Sequence, residues 1–347
     1  MSARVLGLGT AVPTGRLEQS TTAETAARLA GAGDKAGAVR ALFRRSGVEE
    51  RRSVLATESG AMPFFEGGRV PTTAERMAVY AREAPGLAAR ACVSALGDAG
   101  VDSARVTHLV VVSCTGFESP GVDLELMERL GLGAGVRRTI VGMMGCHGAI
   151  NGLGVARAFA AESDEHVVLM VCVELCTLHF CASVEQGAMV ANALFADGAA
   201  ACVIAQGESG HELVSCSSVV VPGTRADMGW VIGDAGFEMT LASGVPSKLA
   251  ERTPGWVDGW LSSHGLTRGD VAGWAVHPGG PRVLDEVGAA LELDERALDV
   301  SREVLRTRGN MSSGTVLFIL EAMRNVEGPI AVLAFGPGLC AEGTLFV

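Results

Sequence analysis

Arg138-Thr139-Ile140-Val141-Gly142-Met143-Met144-Gly145-Cys146-His147-Gly148-Ala149 decides how this chain is read. A short apolar run ends at Val141, a glycine-bracketed turn follows, and Ala149–Ala161 has the composition of a helix. The turn sets Cys146 at or near a helix N-terminus. There the helix dipole and free N–H groups favour the thiolate, the nucleophilic form of cysteine. The competing reading is a cysteine packed as a small inert hydrophobe. His147 follows directly but points about 100° away around the helix. It is a poor base for Cys146 and reads as structural.

The same alternation extends to both sides. Arg4–Leu8, Thr107–Ser113, His166–Glu174 and Ala199–Ala205 read as strands. Ala74–Ala99 reads as a helix ended by Gly100, with Pro85 predicting a kink or break. Strands alternating with helices argue for an α/β fold whose sheets are covered on both faces. A briefer second series follows: strands at Glu212–Val221, Gly273–Val276, Ile330–Ala334 and Gly343–Val347, with helices at Trp256–Ser263, Pro281–Leu291 and Ser313–Arg324. A soft boundary at Gln206–Gly210 divides the chain into halves 1–208 and 209–347. No long polar linker separates them, so they are expected to pack tightly.

Length agrees, since 347 residues at about 150 per domain give roughly two domains. A composition of 48% hydrophobic and 19% charged residues excludes a disordered chain and a charged coiled coil. Apolar runs such as Val167–Val173 fall short of the ~20 residues of a membrane helix. No signal peptide is expected, because no basic segment with an apolar one behind it opens the chain. With 28 basic and 39 acidic residues the net charge is −11, which argues against nucleic-acid binding. Nine cysteines, an odd number in a large chain, fit reduced thiols in the cytoplasm better than a disulfide scaffold.

Two further places combine reactive side chains with glycine. In Trp274-Ala275-Val276-His277-Pro278-Gly279-Gly280, an imidazole stands where a buried strand breaks, which in α/β proteins is where clefts form. In Arg308-Gly309-Asn310-Met311-Ser312-Ser313-Gly314, Asn310 and the serines all look like helix caps; with two serines available to cap, the Asn310 amide is left free to donate into a site. A cysteine with a distant histidine and asparagine is a pattern for covalent catalysis. Cys172, Cys176, His179 and Cys181 raise the question of a metal. On a strand Cys172 and Cys176 lie ~13 Å apart, too far to close one zinc site, so core packing and cavity lining are the better readings. The Gly336-Pro337-Gly338 turn lets backbone approach a ligand. Cys340, just beyond it, has no acid–base motif around it.

Five segments in register, GMMGCHGAINGL, ALFADGAA, WAVHPGGPRVLD, GNMSSGTVLFILEAM and AFGPGL, resemble the type III polyketide synthases, the chalcone and stilbene synthase family. The resemblance spans nearly the whole chain. It implies the thiolase fold, a duplicated five-layer αβαβα arrangement, usually as a homodimer. It also implies Cys146 as nucleophile, His277 as base and Asn310 as its partner. Phe195 matches the first gatekeeper phenylalanine. Counting back from Val245-Pro246 puts Met239 at the second, a departure that looks like bacterial alkylpyrone and alkylresorcinol synthases. Cys114, Thr115, Cys176, His179, Trp230 and Ser312 fall at cavity positions, and a cysteine at position 114 is also seen in naphthalene-forming members. Gly336 falls at the substrate turn. Of the basic residues that hold coenzyme A phosphates Arg45 fits, with Arg44, Arg51 and Arg52 nearby.

What the resemblance implies is repeated decarboxylative condensation of malonyl-CoA onto an acyl starter delivered on coenzyme A or a carrier protein. A pyrone or phenolic ring then closes, with no metal and no bound cofactor. Its rivals are a 3-oxoacyl-carrier-protein synthase III-like enzyme performing one condensation, a degradative thiolase that needs Cys340, and a thiolase-fold scaffold or redox sensor.

Overall fold

The computed structural model describes residues 2–347 except residues 67 and 68. In chain order the strands are β1 (Ala3–Ala11), β2 (Arg16–Glu18), β3 (Glu50–Arg52), β4 (His108–Ser113), β5 (Arg137–Gly142), β6 (Val167–Leu175), β7 (Asp197–Gln206), β8 (His211–Val220), β9 (Met228–Gly233), β10 (Gly236–Leu241), β11 (Gly273–Val276), β12 (Ile330–Gly336) and β13 (Cys340–Phe346). The helices are α1 (Gln19–Leu29), α2 (Ala36–Arg44), α3 (Thr73–Ala99), α4 (Val122–Leu130), α5 (Gly148–Glu162), α6 (Gln186–Leu194), α7 (Val245–Ser262), α8 (Pro281–Ala290), α9 (Asp299–Arg308) and α10 (Thr315–Ala322).

Successive strand side chains point to opposite faces, and that alternation builds the layers. Along β6, Leu169, Val171 and Val173 join a core with α1, α3 and α4, whereas Val168, Met170 and Cys172 join a second with α5 and α10. Along β12, Ile330, Val332 and Ala334 share that second core, while Ala331, Leu333 and Phe335 join a third with α7 and α8. The order is helix, sheet, helix, sheet, helix, the five-layer thiolase arrangement. The two sheets also join edge to edge. β5-β4-β6-β7-β1 meets β8-β13-β12-β11 through Arg4 with Glu212 and Val5 with His211, giving nine hydrogen-bonded strands.

Some expected elements differ. α3 runs unbroken for 27 residues through Pro85, from a Thr72–Glu75 capping box to Gly100. Proline in a helix interior costs ~3 kcal/mol. The fully buried face carrying Ala84, Ala88, Ala91 and Ala95 against the sheet outweighs it. α7 begins at Val245, not Trp256, with Pro246 in its first turn, where a missing N–H costs nothing. The helix expected from Ser313 starts as a 3₁₀ turn, Ser312–Gly314. Among the described residues no helix is long and apolar enough to cross a membrane.

Candidate active site

The site lies at the N-terminal ends of the two middle-layer helices. A single 3₁₀ turn precedes each, Gly145–His147 before α5 and Ser312–Gly314 before α10, and the two turns pack together. Each neighbourhood holds a non-glycine residue in left-handed backbone, Met143 at φ 57° and Ser312 at φ 47°. Such strain persists only where surroundings impose it, and it gathers at functional sites.

Cys146 is half-buried on the first turn, and the Ser312 and Asn310 side chains lie close enough to its thiol to favour the thiolate. Asn310 Oδ1 accepts from the Ser312 N–H at 2.8 Å, which leaves its amide nitrogen to face the thiol. The serines are not the caps expected from the sequence. Ser312 Oγ lies 3.1 Å from Cys114 Sγ, and Ser313 Oγ donates to Glu174 at 2.5 Å. Asn310 is also fixed through its main chain. Its N–H donates to Leu194 O at 2.8 Å and its carbonyl accepts from Ala196 N–H at 2.9 Å.

His277 directly follows β11, held by its N–H to Leu333 O at 2.8 Å. Its ring is buried, and neither ring nitrogen has a hydrogen-bond partner among the described residues. Burial, helped by His147, pushes its pKa down to about 3. Burial pushes the Cys146 thiol up to about 12, the Glu174 carboxylate adds to that, and the Ser312 and Asn310 hydrogen bonds oppose it. This runs against the sequence expectation of a favoured thiolate, because burial disfavours the charged form. Burial thus favours the thiol form of Cys146 and the neutral form of the His277 imidazole.

One chamber adjoins the thiol and a second lies beyond it. The nearer, about 40 Å³, is lined by Cys146, Cys114, Thr115, Ser312, Met143 and Pro337. The farther, about 590 Å³, extends along α6 and β10 and is lined by His179 and Phe237. Cys176, Phe195, Trp230 and Met239 line both and form the wall between them. The Trp230 indole N–H donates to Cys114 O at 3.1 Å, and its ring is tilted against Phe195 with centroids 6.1 Å apart. His179 Nδ1 accepts from Phe237 N–H at 3.0 Å, so Nε2 carries the proton it donates to Thr115 O at 2.7 Å. Burial pushes its pKa down to about 4, and its ring stacks on Phe237.

Two expected residues are elsewhere. Gly336 lines neither chamber. It makes room for the His147 ring, since a Cβ there would stand 2.4 Å from His147 Cδ2. Arg45 is exposed at the C-cap of α2 and lines neither chamber. The Arg44–Arg52 cluster is not one grip. Arg51 is buried and Arg52 lies beside Glu50, whereas Arg44 and Arg45 are exposed.

Glu174 escaped the sequence reading. It is fully buried and accepts from Cys114 N–H at 3.0 Å, Thr115 Oγ at 2.7 Å and Ser313 Oγ. Burial raises its pKa and these bonds oppose the rise. The available signal was a single carboxylate inside the apolar run Val167–Leu175, which must find partners. Cys172 packs in the middle core while Cys176 and His179 face the chambers, so they do not converge on a metal.

The chalcone and stilbene synthase N-terminal domain matches residues 1–208 and the C-terminal domain residues 212–347. A 1,3,6,8-tetrahydroxynaphthalene synthase of Streptomyces peucetius subsp. caesius is 34% identical, over 98% of this chain and 92% of that one. The alpha-pyrone synthesis polyketide synthase-like Pks18 of Mycobacterium tuberculosis is 30% identical, over 98% and 90%. The crystal structure of PKS-I from the brown alga Ectocarpus siliculosus superposes with a TM-score of 0.94 at 28% identity, covering 99% of this chain and 98% of that one. Fold and relatives together define an acyl-transferring condensing enzyme built on the thiolase fold. The chain belongs to the chalcone and stilbene synthase family, the type III polyketide synthases, which extend a starter by iterative condensation.

Proposed function

We propose that Cys146, His277 and Asn310 carry out this condensation on coenzyme A thioesters. The observation that carries the reading is the packing of the Cys146 turn against the turn that follows Asn310, with His277 buried near His147 and both its ring nitrogens without a partner among the described residues. His277 takes the thiol proton as Cys146 Sγ attacks the starter carbonyl. The C–S bond to coenzyme A breaks, and the departing thiolate recovers that proton. Malonyl-CoA then loses carbon dioxide, and the electron pair of the broken C–C bond forms an enolate that accepts from the Asn310 amide and the His277 N–H. The enolate carbon attacks the Cys146 thioester, a C–C bond forms, and Cys146 leaves. Phe195 and Met239 exclude water from this step.

The space beside Cys146, about 40 Å³, is far smaller than the 590 Å³ chamber. The growing chain therefore passes the Trp230–Met239 wall into the 590 Å³ chamber and cyclises to a pyrone or a phenol. Exposed Arg44 and Arg45 offer guanidinium groups to coenzyme A phosphates. β5 is an outer strand of the sheet, and Phe117, Ile140 and Met143 are exposed apolar residues on or beside it, which supports a homodimer. Nine free cysteines and coenzyme A substrates support a cytoplasmic site of action.

The test is mass spectrometry of products from malonyl-CoA with starters from acetyl to long-chain acyl, with Cys146→Ala as control. Tri- or tetraketide pyrones or phenols, absent in the control, support the reading. A single-condensation product formed only from a carrier protein would replace it with the 3-oxoacyl synthase reading.

A further inference from the structure

Arg51 is among the largest fully buried side chains of the molecule. Removing a guanidinium from water is costly unless its donors are matched; here Nε has no partner among the described residues, and each terminal nitrogen holds one. Nη1 donates to the Phe195 carbonyl at 2.7 Å and Nη2 to Gln19 Oε1 at 2.9 Å. The guanidinium carbon lies 5.9 Å from the Phe43 ring centroid. Asp197, two residues beyond Phe195, supplies the opposite charge and is itself fixed by Thr177 N–H at 2.8 Å and Val54 N–H at 2.9 Å.

The other edge of the same segment belongs to Asn310. Leu194 O and Ala196 N–H bond its main chain, so residues 194–196 lie between Arg51 and the proposed enolate-binding amide. Gly309 closes the arrangement. At φ 74° it has no Cβ, and one built there would stand 2.9 Å from Ala196 Cβ and 3.3 Å from Arg51 Cβ. No side chain other than hydrogen fits between Arg51 and Asn310. The rigid fork of an arginine suits this double grip; lysine, a single flexible point charge, does not.

We propose that Arg51 is a positioning residue that holds the Phe195 gate and the Asn310 amide in register as one unit. This rests on the assignment of Asn310 to the enolate. It predicts that loosening Arg51 weakens malonyl decarboxylation far more than starter loading, because the enolate rests on the Asn310 amide whereas loading rests chiefly on Cys146 and His277, which Arg51 does not touch.

The experiment separates the two half-reactions in Arg51→Lys. Acylation of Cys146 by starter acyl-CoA is followed by intact-protein mass, and conversion of malonyl-CoA to acetyl-CoA by chromatography. The expected result is a tenfold or greater fall in decarboxylation with acylation within threefold of wild type. In an Asn310→Ala background Arg51→Lys should produce no further fall, because a residue acting through Asn310 has nothing left to position. An equal fall in both half-reactions, no fall in either, or a further tenfold fall in the Asn310→Ala background overturns the proposal. Should Arg51→Lys fail to fold, Gln19→Leu removes the second anchor of the guanidinium. A selective fall of threefold or more supports the proposal, and an unselective one or none overturns it. Full-rate decarboxylation by Asn310→Ala overturns the Asn310 assignment and this proposal with it. Failure of the positioning role alone is distinct, with Asn310→Ala slow and Arg51→Lys unselective.

Discussion

The indole N–H of Trp230 reaches 3.1 Å across to the carbonyl of Cys114, and this bond ties the β9–β10 hairpin to the end of β4. Trp230 is thereby the fixed part of the wall between the two chambers, and Met239, unbranched and without a polar tether, the adaptable part.

Trp230→Ala should merge the chambers. The expected outcome is acceptance of longer starters and a shift of product toward higher mass, read by liquid chromatography and mass spectrometry with a starter series. Because Trp230 is only half-buried, the stability loss should be about 2 kcal/mol, below the ~3–5 kcal/mol of a fully buried tryptophan. An unchanged starter range would mean that the wall does not limit chain length.

Glu174→Ala should be among the most destabilising single changes. It leaves the Cys114 N–H, Thr115 Oγ and Ser313 Oγ without their acceptor inside the core, and each orphaned group costs ~1–3 kcal/mol. A urea midpoint lowered by the equivalent of about 3 kcal/mol or more is expected. A shift under about 1 kcal/mol would show that water or the neighbouring hydroxyls replace the carboxylate.

The protonation of the catalytic pair is testable through reactivity. With the Cys146 thiol held up to about 12, its thiolate fraction rises tenfold per pH unit across the neutral and mildly alkaline range. Iodoacetamide alkylation of Cys146, followed by peptide mass, should climb without a plateau from pH 6 to 9. A plateau near neutrality would instead reveal a preformed thiolate–imidazolium pair.

His277 also links stability to pH. Its folded pKa of about 3 lies below the unfolded 6.5, so the unfolded chain binds the extra proton. Its contribution is full above pH 6.5 and is lost as pH falls toward 3. Asp197, raised to about 6, has the opposite sign and cancels when variants are compared. Between pH 7 and 5 the wild type should lose on the order of 2 kcal/mol more than His277→Gln. Equal losses in urea denaturation would contradict the buried neutral imidazole.

Coenzyme A recognition can be separated from chemistry at Arg44 and Arg45. Replacing both by alanine should raise KM for acyl-CoA about tenfold, the ~1.4 kcal/mol expected of two exposed ionic contacts. KM for the same starter on a truncated pantetheine thioester should not move. Equal effects on both would place the phosphates elsewhere.

The sequence by itself determined the class of fold and marked the candidate turns. β6 and β7 are buried almost throughout, so they read as continuous apolar runs whatever packs on them. Glycine and proline mark the turns that carry Cys146, His277 and Asn310, because backbone demands of that kind are local. The β9–β10 hairpin was missed. It is half-exposed and packs mainly through long-range contacts, so its pattern is weak although it carries Trp230 and Met239. Tertiary structure alone decided the rest. Burial reversed the expected thiolate, close approach assigned Gly336 to His147, and a guanidinium counted with a surface cluster became the interior brace at Phe195. Desolvation, cavity volume and reach across the core depend on residues distant in the chain, and no local pattern encodes them.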